Sequence, residues 1–313
     1  MGRDVFVAGV GIIPFAKPGA SESYDVMGAQ AMRAALQDAH LNHSEVQQVY
    51  AGYVYGDSCA GQRAVYAVGM SGMPVITSTT TARPARRRFS WRAKASRHAA
   101  NNPLALFRKV VTEEEVLNAP VMWSGVMTRL MACPPTCGRA AAIVCSDAFA
   151  QRHGLDRSVR IKAQAMTTDK PSTFVAHDMR QVVGVDMTRD AARQVYEQAG
   201  VGPQDIQVVE LHDCFAHNEL LTYEGLGLCA DGDAEKFVLD GDNTYGGRYV
   251  TNPSGGRLSK GHLLGATGLS QCSELVQQLL GTADKRLVAG ARLALQHNLS
   301  LGGACVLTLY ERV

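Results

Sequence analysis

The sequence has little that would direct it to a membrane or to nucleic acid. Of its 313 residues 46% are hydrophobic, 19% are charged and only 6% are aromatic, and the formal net charge is +2. Nucleic-acid binding calls for a large basic excess, and a membrane helix needs about 20 consecutive apolar residues. Since neither occurs, we predict a globular protein with no nucleic-acid or membrane partner. Arg3 and Asp4 precede the first apolar run, which favours a first strand over an export signal and therefore a cytoplasmic location.

The sequence also lacks the cysteine spacing of a disulfide framework or a zinc site. Its eight cysteines are scattered and include no CxxC pair, so free thiols in a reducing compartment are expected. His212, Cys214 and His217 form H-x-C-x-x-H, a spacing that suits a tetrahedral metal site poorly, and we predict no metal ion. Without a catalytic role, the same residues would be a strand end with a buried cysteine and two ordinary histidines.

The order of predicted elements repeats along the chain. Residues 25–40 predict an amphipathic helix, followed by a turn and a strand at 49–55, and residues 190–211 predict the same succession. Shifted by 160 positions, Ala31, Ala39, Leu41, Glu45, Val46 and Val49 fall on Ala191, Ala199, Val201, Asp205, Ile206 and Val209. This pattern indicates two related α/β halves, which we place at residues 1–157 and 158–313.

Three loops in the last third of the chain carry the candidate chemistry. His212 and Cys214 follow a predicted strand, His262 precedes a predicted helix, and His297 ends a strand before Gly302 and Gly303. Imidazoles and a thiol in one pocket suit acyl transfer or enolate chemistry, and glycine backbone can approach a ligand closely enough to form an oxyanion hole. Taken singly, His262 and His297 are equally well explained as ordinary turn residues.

These motifs together resemble those of the thiolases, specifically the sterol-carrier-protein-2 type. The similarity covers residues 1–76 and 101–313. It is carried by HDCF at 212–215 with NEL at 218–220, GDNTYGG at 241–247, NPSGG at 252–256, SKGH at 259–262 and QHNL at 296–299.

The resemblance implies a five-layered αβαβα fold of two similar halves, usually in a homodimer. It implies acyl transfer between 3-oxoacyl-CoA and CoA in lipid metabolism, such as fatty acid β-oxidation or steroid degradation. The coenzyme A thioester would be the substrate, and no cofactor would be tightly bound.

The resemblance also assigns roles to individual residues. His262 would activate a nucleophilic cysteine of the first half, His212 would donate to an oxyanion, and Cys214 would act as acid or base. His297 and the backbone near Gly302 and Gly303 would complete the pocket. Contacts to the coenzyme A thioester would come from the following residues: Ser254, Gly255 and Lys260.

The chain departs from the family where the nucleophile belongs. After residue 76 the family continues Asn-x-Asn-Asn-Asn-Cys, whereas this chain has Ala82 at the cysteine position. Codons for Asn-Val-Asn-Asn-Asn-Cys-Ala-Thr-Gly-Ser-Thr-Ala, read one base later, give Thr-Ser-Thr-Thr-Thr-Ala-Arg-Pro-Ala-Arg-Arg-Arg, which is residues 77–88. We infer a frame change after Ile76, an incomplete first half, and disorder over residues 77–100. The alternative is an evolved basic loop that binds CoA phosphates or nucleic acid.

Three functions remain open on this evidence. The first is a thiolase by descent whose acyl transfer is impaired because the cysteine is absent. The second is a thiolase-like aldolase or CoA-thioester-binding subunit that works with an OB-fold partner protein. The third is a non-catalytic relic or scaffold, which acyl-CoA binding would exclude.

Overall fold

The computed structural model describes residues 4–53, 60–79, 90–124, 127–175, 177–300 and 303–313. The strands are β1 (Val5–Ile12), β2 (Val49–Tyr53), β3 (Val75–Thr79), β4 (Val121–Trp123), β5 (Met127–Thr128), β6 (Ala140–Ser146), β7 (Val159–Thr167), β8 (Val208–Glu210), β9 (Val250–Thr251), β10 (Leu293–Ser300) and β11 (Ala304–Arg312). The helices are α1 (Tyr24–Asp38), α2 (Ala60–Tyr66), α3 (Ser90–Ala100), α4 (Glu113–Leu117), α5 (Asp147–His153), α6 (Ser172–Val175), α7 (Met179–Val182), α8 (Val185–Ala199), α9 (Ala216–Gly225), α10 (Ala234–Leu239) and α11 (Thr267–Leu280).

Seven strands form one mixed sheet in the order β6-β1-β7-β11-β10-β8-β9. Strands β2 and β3 form a separate parallel pair, and β4 and β5 form a short antiparallel pair. Helices α8 and α11 pack on the large sheet, and the main apolar core lies between α8, α9 and the strands β7, β10 and β11. The α/β class expected from the sequence is therefore confirmed.

The two halves share an irregularity in strand pairing. Strand β1 pairs antiparallel with β6, and β7 pairs antiparallel with β11. Each pair shifts register once, between Val7 and Gly9 in the first and between Leu309 and Tyr310 in the second. Because a bulge disturbs the ladder at one defined place, the same bulge in both pairs is strong evidence for two related halves.

Helix α1 lies unusually close to β1 because two positions in the strand are glycine. A Cβ added to Gly9 would lie 2.5 Å from the Ala39 nitrogen, and one added to Gly11 would lie 2.2 Å from the Ala31 carbonyl oxygen. Any side chain at either position would push the helix off the sheet. The alternation of Gly9 and Gly11 thus fixes the helix–strand distance of the first half.

Residues 90–100 do not match the sequence-based prediction of disorder over 77–100. They form the buried helix α3, and residues 77–79 belong to β3, whereas residues 80–89 lie outside the described part of the chain. Trp91, Ala95 and Ala99 are all at most 3% exposed. The prediction failed because it treated the basic residues of this segment as unpaired charges.

The two buried charged residues of α3, Arg92 and Lys94, have partners deep in the second half. Lys94 forms a buried ion pair with Glu219 and donates to Thr251 Oγ1 at 2.7 Å and to Tyr223 Oη at 3.1 Å. Arg92 donates to Ser259 Oγ. A buried charge is tolerated when it is paired and hydrogen-bonded, so α3 can lie in the interior.

Removing one partner of this ion pair should destabilise the fold strongly. In Glu219→Leu the Lys94 ammonium would stay buried without its counter-charge, and we expect the free energy of unfolding to fall by about 3–5 kcal/mol. Urea unfolding followed by circular dichroism measures it. The double variant Glu219→Leu, Lys94→Met should recover most of the loss, and equal losses in both variants would contradict the pairing.

None of the helices in the described ranges is long and apolar enough to cross a membrane.

Candidate active site

The loop that follows β8 is anchored by a fully buried carboxylate. Asp213 accepts the backbone N–H groups of Arg257 at 2.7 Å and Leu258 at 3.4 Å, which belong to a π-helical turn, Gly256–Lys260. A Cβ at Gly256, whose φ is +57°, would lie 2.1 Å from the Asp213 Oδ2 atom. Only glycine leaves room for the carboxylate, and this contact joins the loop of residues 212–215 to the loop that carries His262.

His212 has one ring nitrogen that no hydrogen bond within the described residues occupies. Its Nδ1 lies 3.2 Å from the N–H of Leu299 and 3.3 Å from Oδ1 of Asn298. The backbone N–H can only donate, and Asn298 Oδ1 already accepts from Arg257 at 2.9 Å, so we assign Nδ1 as an acceptor. The proton of the neutral ring then sits on Nε2, for which the described residues offer no partner.

His262 presents the complementary group, a free lone pair. The Thr267 hydroxyl donates to the Leu263 carbonyl at 2.7 Å, so it accepts from His262 Nδ1 at 2.9 Å. This assignment leaves Nε2 unprotonated and without a partner in the described part of the chain. The rings of His212 and His262 meet edge to face, with centroids 5.4 Å apart. The structure thus brings two of the three predicted histidines together as a donor and a base.

His297 is not a free pocket residue, contrary to the role that the resemblance implied. Its Nδ1 accepts the His212 backbone N–H at 3.3 Å, and its Nε2 donates to Thr188 Oγ1 at 3.1 Å. Thr188 in turn donates to the Gly184 carbonyl at 2.9 Å. Because both ring nitrogens are bound to protein groups, His297 positions His212 and is not available to a substrate.

Burial keeps all three histidines neutral. Desolvation, followed by repulsion from Arg257, lowers the pKa of His262 to about 3 and the pKa of His297 to about 3. Desolvation and then Arg257 also hold the pKa of His212 well below its usual value. Each imidazole is consequently an uncharged donor or base throughout the physiological pH range.

Burial has the opposite effect on the thiols beside these histidines. Desolvation, with a further contribution from Cys133, raises the pKa of Cys214 far above its usual range. The Cys133 N–H donates to the Cys214 carbonyl at 2.9 Å, and desolvation raises the pKa of Cys133 to about 12. Both thiols are therefore protonated, which suits a proton donor and not a resting nucleophile.

Arg257 and Asn298 organise the site although the sequence analysis assigned them no role. The Arg257 guanidinium is buried and donates to the Leu211 carbonyl at 2.7 Å and to Asn298 Oδ1 at 2.9 Å. It thereby connects all three loops. The sequence did contain a signal for the role of Asn298. Side chains of consecutive strand residues point to opposite faces, so His297 and Asn298 cannot both face the pocket.

The residues predicted to contact coenzyme A lie in the interior. Ser254 donates from its N–H and its hydroxyl to Glu210, at 3.1 and 2.9 Å, and Lys260 lies 3.4 Å from the same carboxylate. A Cβ at Gly255 would lie 2.5 Å from that of Ala99. Ser254 and Lys260 are at most 3% exposed, and the polar atoms of both side chains have Glu210 as a partner within the protein. Their contact with coenzyme A stays a prediction.

Of the remaining predicted positions, Gly303 is the one that falls within the described part of the chain. The Gly303 carbonyl accepts a hydrogen bond at 2.7 Å from the hydroxyl of Thr168, a residue of the loop that follows β7. Gly302 and Ala82 lie outside the described residues. The described ranges hold no group of three or more His, Cys, Asp or Glu side chains that could bind a metal ion.

The depressed histidine pKa values predict a loss of stability in acid. The unfolded chain takes up protons near pH 6.5, whereas the folded histidines resist protonation down to about pH 3. The stability they contribute is therefore complete above pH 6.5 and declines as the pH falls, by roughly 2 kcal/mol per histidine between pH 6.5 and 5. Urea unfolding at several pH values measures this slope. His297→Gln should lower the slope by the contribution of one proton taken up on unfolding. An unchanged slope would contradict the assignment.

Comparison with known proteins places this geometry in a family. A family model described as "Thiolase C-terminal domain-like" matches residues 169–308. Human "Sterol carrier protein 2" is 41% identical over 99% of this chain and 72% of that protein. The chain belongs to the thiolase family, to its sterol-carrier-protein-2 type. "Non-specific lipid-transfer protein-like 2" of Caenorhabditis elegans is 32% identical over 98% of this chain and 96% of the relative.

Solved structures confirm the predicted thiolase fold. An "Ltp2-ChsH2(DUF35) aldolase" superposes with a TM-score of 0.80 at 20% identity, covering 98% of each chain. Human mitochondrial 3-ketoacyl-CoA thiolase in complex with CoA superposes with a TM-score of 0.75 at 16% identity, covering 99% of this chain and 98% of the other. At these identities the likeness establishes the fold alone.

Proposed function

We propose that this chain binds acyl-CoA thioesters and removes a proton from their α-carbon, while its acyl transfer between 3-oxoacyl-CoA and CoA is impaired. The observation that carries the proposal is the pairing of His212 and His262, a neutral donor beside a neutral base. Family membership makes the acyl-CoA thioester the expected substrate and supports an acyltransferase by descent. Ala82 stands where the family's nucleophile belongs, so the covalent step has no thiol.

The two histidines can carry the proton transfer without a nucleophile. His262 Nε2 takes the α-proton, and the electron pair of the broken C–H bond moves into an enolate whose oxygen accepts a hydrogen bond from His212 Nε2. A positioned base contributes about 10²–10⁴ in rate, and a donor aimed at the developing oxyanion lowers the barrier further. Protonation of the same carbon from His262 or from the Cys214 thiol regenerates the thioester.

Deuterium incorporation tests this function separately from acyl transfer. The protein is incubated with a saturated acyl-CoA in D₂O, and mass spectrometry measures uptake at the α-carbon, while thiolysis of a 3-oxoacyl-CoA is followed on the same sample. We expect protein-dependent deuterium uptake with little or no thiolysis. Folded protein that gives neither uptake nor acyl-CoA binding by calorimetry would overturn the proposal and leave a non-catalytic scaffold.

A second candidate is a thiolase-like aldolase that acts with an OB-fold partner. The superposition on the Ltp2-ChsH2(DUF35) aldolase favours it, and carbon–carbon cleavage through an enolate needs a base and an oxyanion donor but no cysteine. Retro-aldol cleavage of a β-hydroxyacyl-CoA only in the presence of such a partner would support this candidate. Homodimer formation, a cytoplasmic location and a role in β-oxidation or steroid degradation remain predictions.

A further inference from the structure

The second half contains a strand that has no counterpart among the described residues of the first. Strand β10 lies between β8, to which it is parallel, and β11, to which it is antiparallel. The shared bulge equates β11 with β6, and the parallel pairs β8–β9 and β2–β3 correspond to each other. The repeat therefore predicts a strand between β2 and β6, parallel to the first and antiparallel to the second.

That position is open in the described part of the chain. Among the described residues, strand β6 ends the seven-stranded sheet and pairs only with β1, and β2 pairs only with β3. Both strands border a cavity of about 1160 Å³, which is also lined by α1, α2 and the start of α11. An unpaired strand edge is a template for another strand, and here two such edges flank one cavity.

The cavity wall has the composition of a surface that packs against a strand. Small and apolar side chains dominate it, among them Met32, Ala64, Val65, Ala142, Ile143 and Val144. Val144 is 56% exposed, although its counterpart by register in the second half, Tyr310, is 4% exposed. The same position is thus covered in one half and uncovered in the other.

The hydrogen-bonding groups of β6 also face the cavity. Ile13 lies opposite Arg139 when the β1–β6 register is continued by one position, and its N–H donates to the Arg139 carbonyl at 3.2 Å. These two residues therefore form one of the hydrogen-bonded pairs of the ladder. Because such pairs alternate along an antiparallel ladder, Ala140 and Ala142 direct their N–H and C=O groups away from β1. Val10 lies opposite Ala142, and its N–H donates to Asp38 Oδ2 at 2.8 Å and not to β6. The pair Val10–Ala142 is therefore one of the pairs without hydrogen bonds between the two strands.

We propose that the cavity between β2 and β6 binds an extended, uncharged polypeptide strand of about eight residues, supplied in trans, parallel to β2 and antiparallel to β6. Small and β-branched side chains would face the helices, and main-chain hydrogen bonds to Ala140 and Ala142 would fix its register. The aligned relative is also longer than this chain. The alignment with human sterol carrier protein 2 spans 394 positions and this chain has 313 residues, so at least 81 positions of the relative have no counterpart here. The proposal does not depend on the catalytic function.

A synthetic strand tests the proposal on the full chain. The peptide alternates valine and alanine over eight residues, carries a lysine at each end and bears a fluorophore, and its binding is followed by fluorescence anisotropy. The control peptide has the same side chains with alternate backbone nitrogens methylated, which removes N–H donors. Ala142→Pro removes the N–H group that faces the cavity and leaves the bonds to β1 in place, since proline is tolerated at a strand edge. Ala142→Ser is the matched control.

We expect the unmodified peptide to bind the natural chain and Ala142→Ser, and the methylated peptide or Ala142→Pro to weaken binding at least about tenfold. Hydrogen exchange on the natural chain gives a result that does not depend on the proline variant folding. The peptide should slow exchange at the amides of Ala140 and Ala142 more than at Ala141, which already bonds to β1. The proposal would be overturned if neither the methylated peptide nor Ala142→Pro weakened binding, or if the peptide left amide hydrogen exchange unaltered. A cavity covered by a second copy of the chain would also overturn it.

Discussion

Restoring the reading frame and the missing segment should raise 3-oxoacyl-CoA thiolysis by roughly 10⁴-fold over this chain. A nucleophilic thiol splits acyl transfer into two easier steps, and loss of the nucleophile in a catalytic unit costs about 10⁴–10⁶ in rate. His262, whose Nε2 is free, is available to activate that thiol. The measurement is CoA-dependent loss of a 3-oxoacyl-CoA with each protein at equal concentration.

Two variants make this experiment specific. The frame-restored protein with its new cysteine replaced by alanine should return to the rate of the present chain. Ala82→Cys in the present chain should change the rate by less than about tenfold, because the residues that follow are Arg83, Arg86, Arg87 and Arg88 in place of the family's small residues. A restored protein that folds but cleaves no substrate would contradict our account of the departure at residue 77.

His262→Ala should lower the rate of α-proton exchange by about 10²–10⁴, the usual contribution of a positioned base. Deuterium uptake by a saturated acyl-CoA measures this rate. Its pH profile in the unaltered chain should be flat between pH 5 and 8, because burial holds the pKa of His262 at about 3 and the base form predominates throughout.

Thr267→Val provides a matched control for that prediction. The variant keeps the shape of the side chain but removes the hydroxyl that accepts the hydrogen of His262 Nδ1 at 2.9 Å. We expect an intermediate loss of about tenfold, since the ring can then also adopt the other tautomer. Exchange that is unchanged in His262→Ala would show that another group is the base.

The sequence predicted the meeting of His212 and His262, because each terminates or precedes a regular element in a motif of known family context. It did not predict the inward orientation of His297, although the side chains of consecutive strand residues such as His297 and Asn298 point to opposite faces of the sheet. The role of Thr188 could not be foreseen, since it reaches His297 across 109 positions of sequence.

The helix α3 was mispredicted for a different reason. Sequence composition shows Arg92 and Lys94 as part of a basic run, but it does not show Glu219, the partner that makes burial of Lys94 tolerable. Pairing over 125 positions is a tertiary property. The shared bulge of β1–β6 and β7–β11 is likewise a property of strand register and leaves no mark in the short 160-position repeat.

The central claim is that a thiolase of the sterol-carrier-protein-2 type has kept its acid–base residues and lost its nucleophile through a change of reading frame. Sequencing the coding DNA from codon 70 to codon 105 tests it most directly. We predict that the bases of codons 77–88, read one base earlier, encode Asn-x-Asn-Asn-Asn-Cys-Ala-Thr-Gly-Ser. Codons whose bases cannot encode that motif in the neighbouring frame would contradict the claim and identify residues 77–88 as an evolved basic segment.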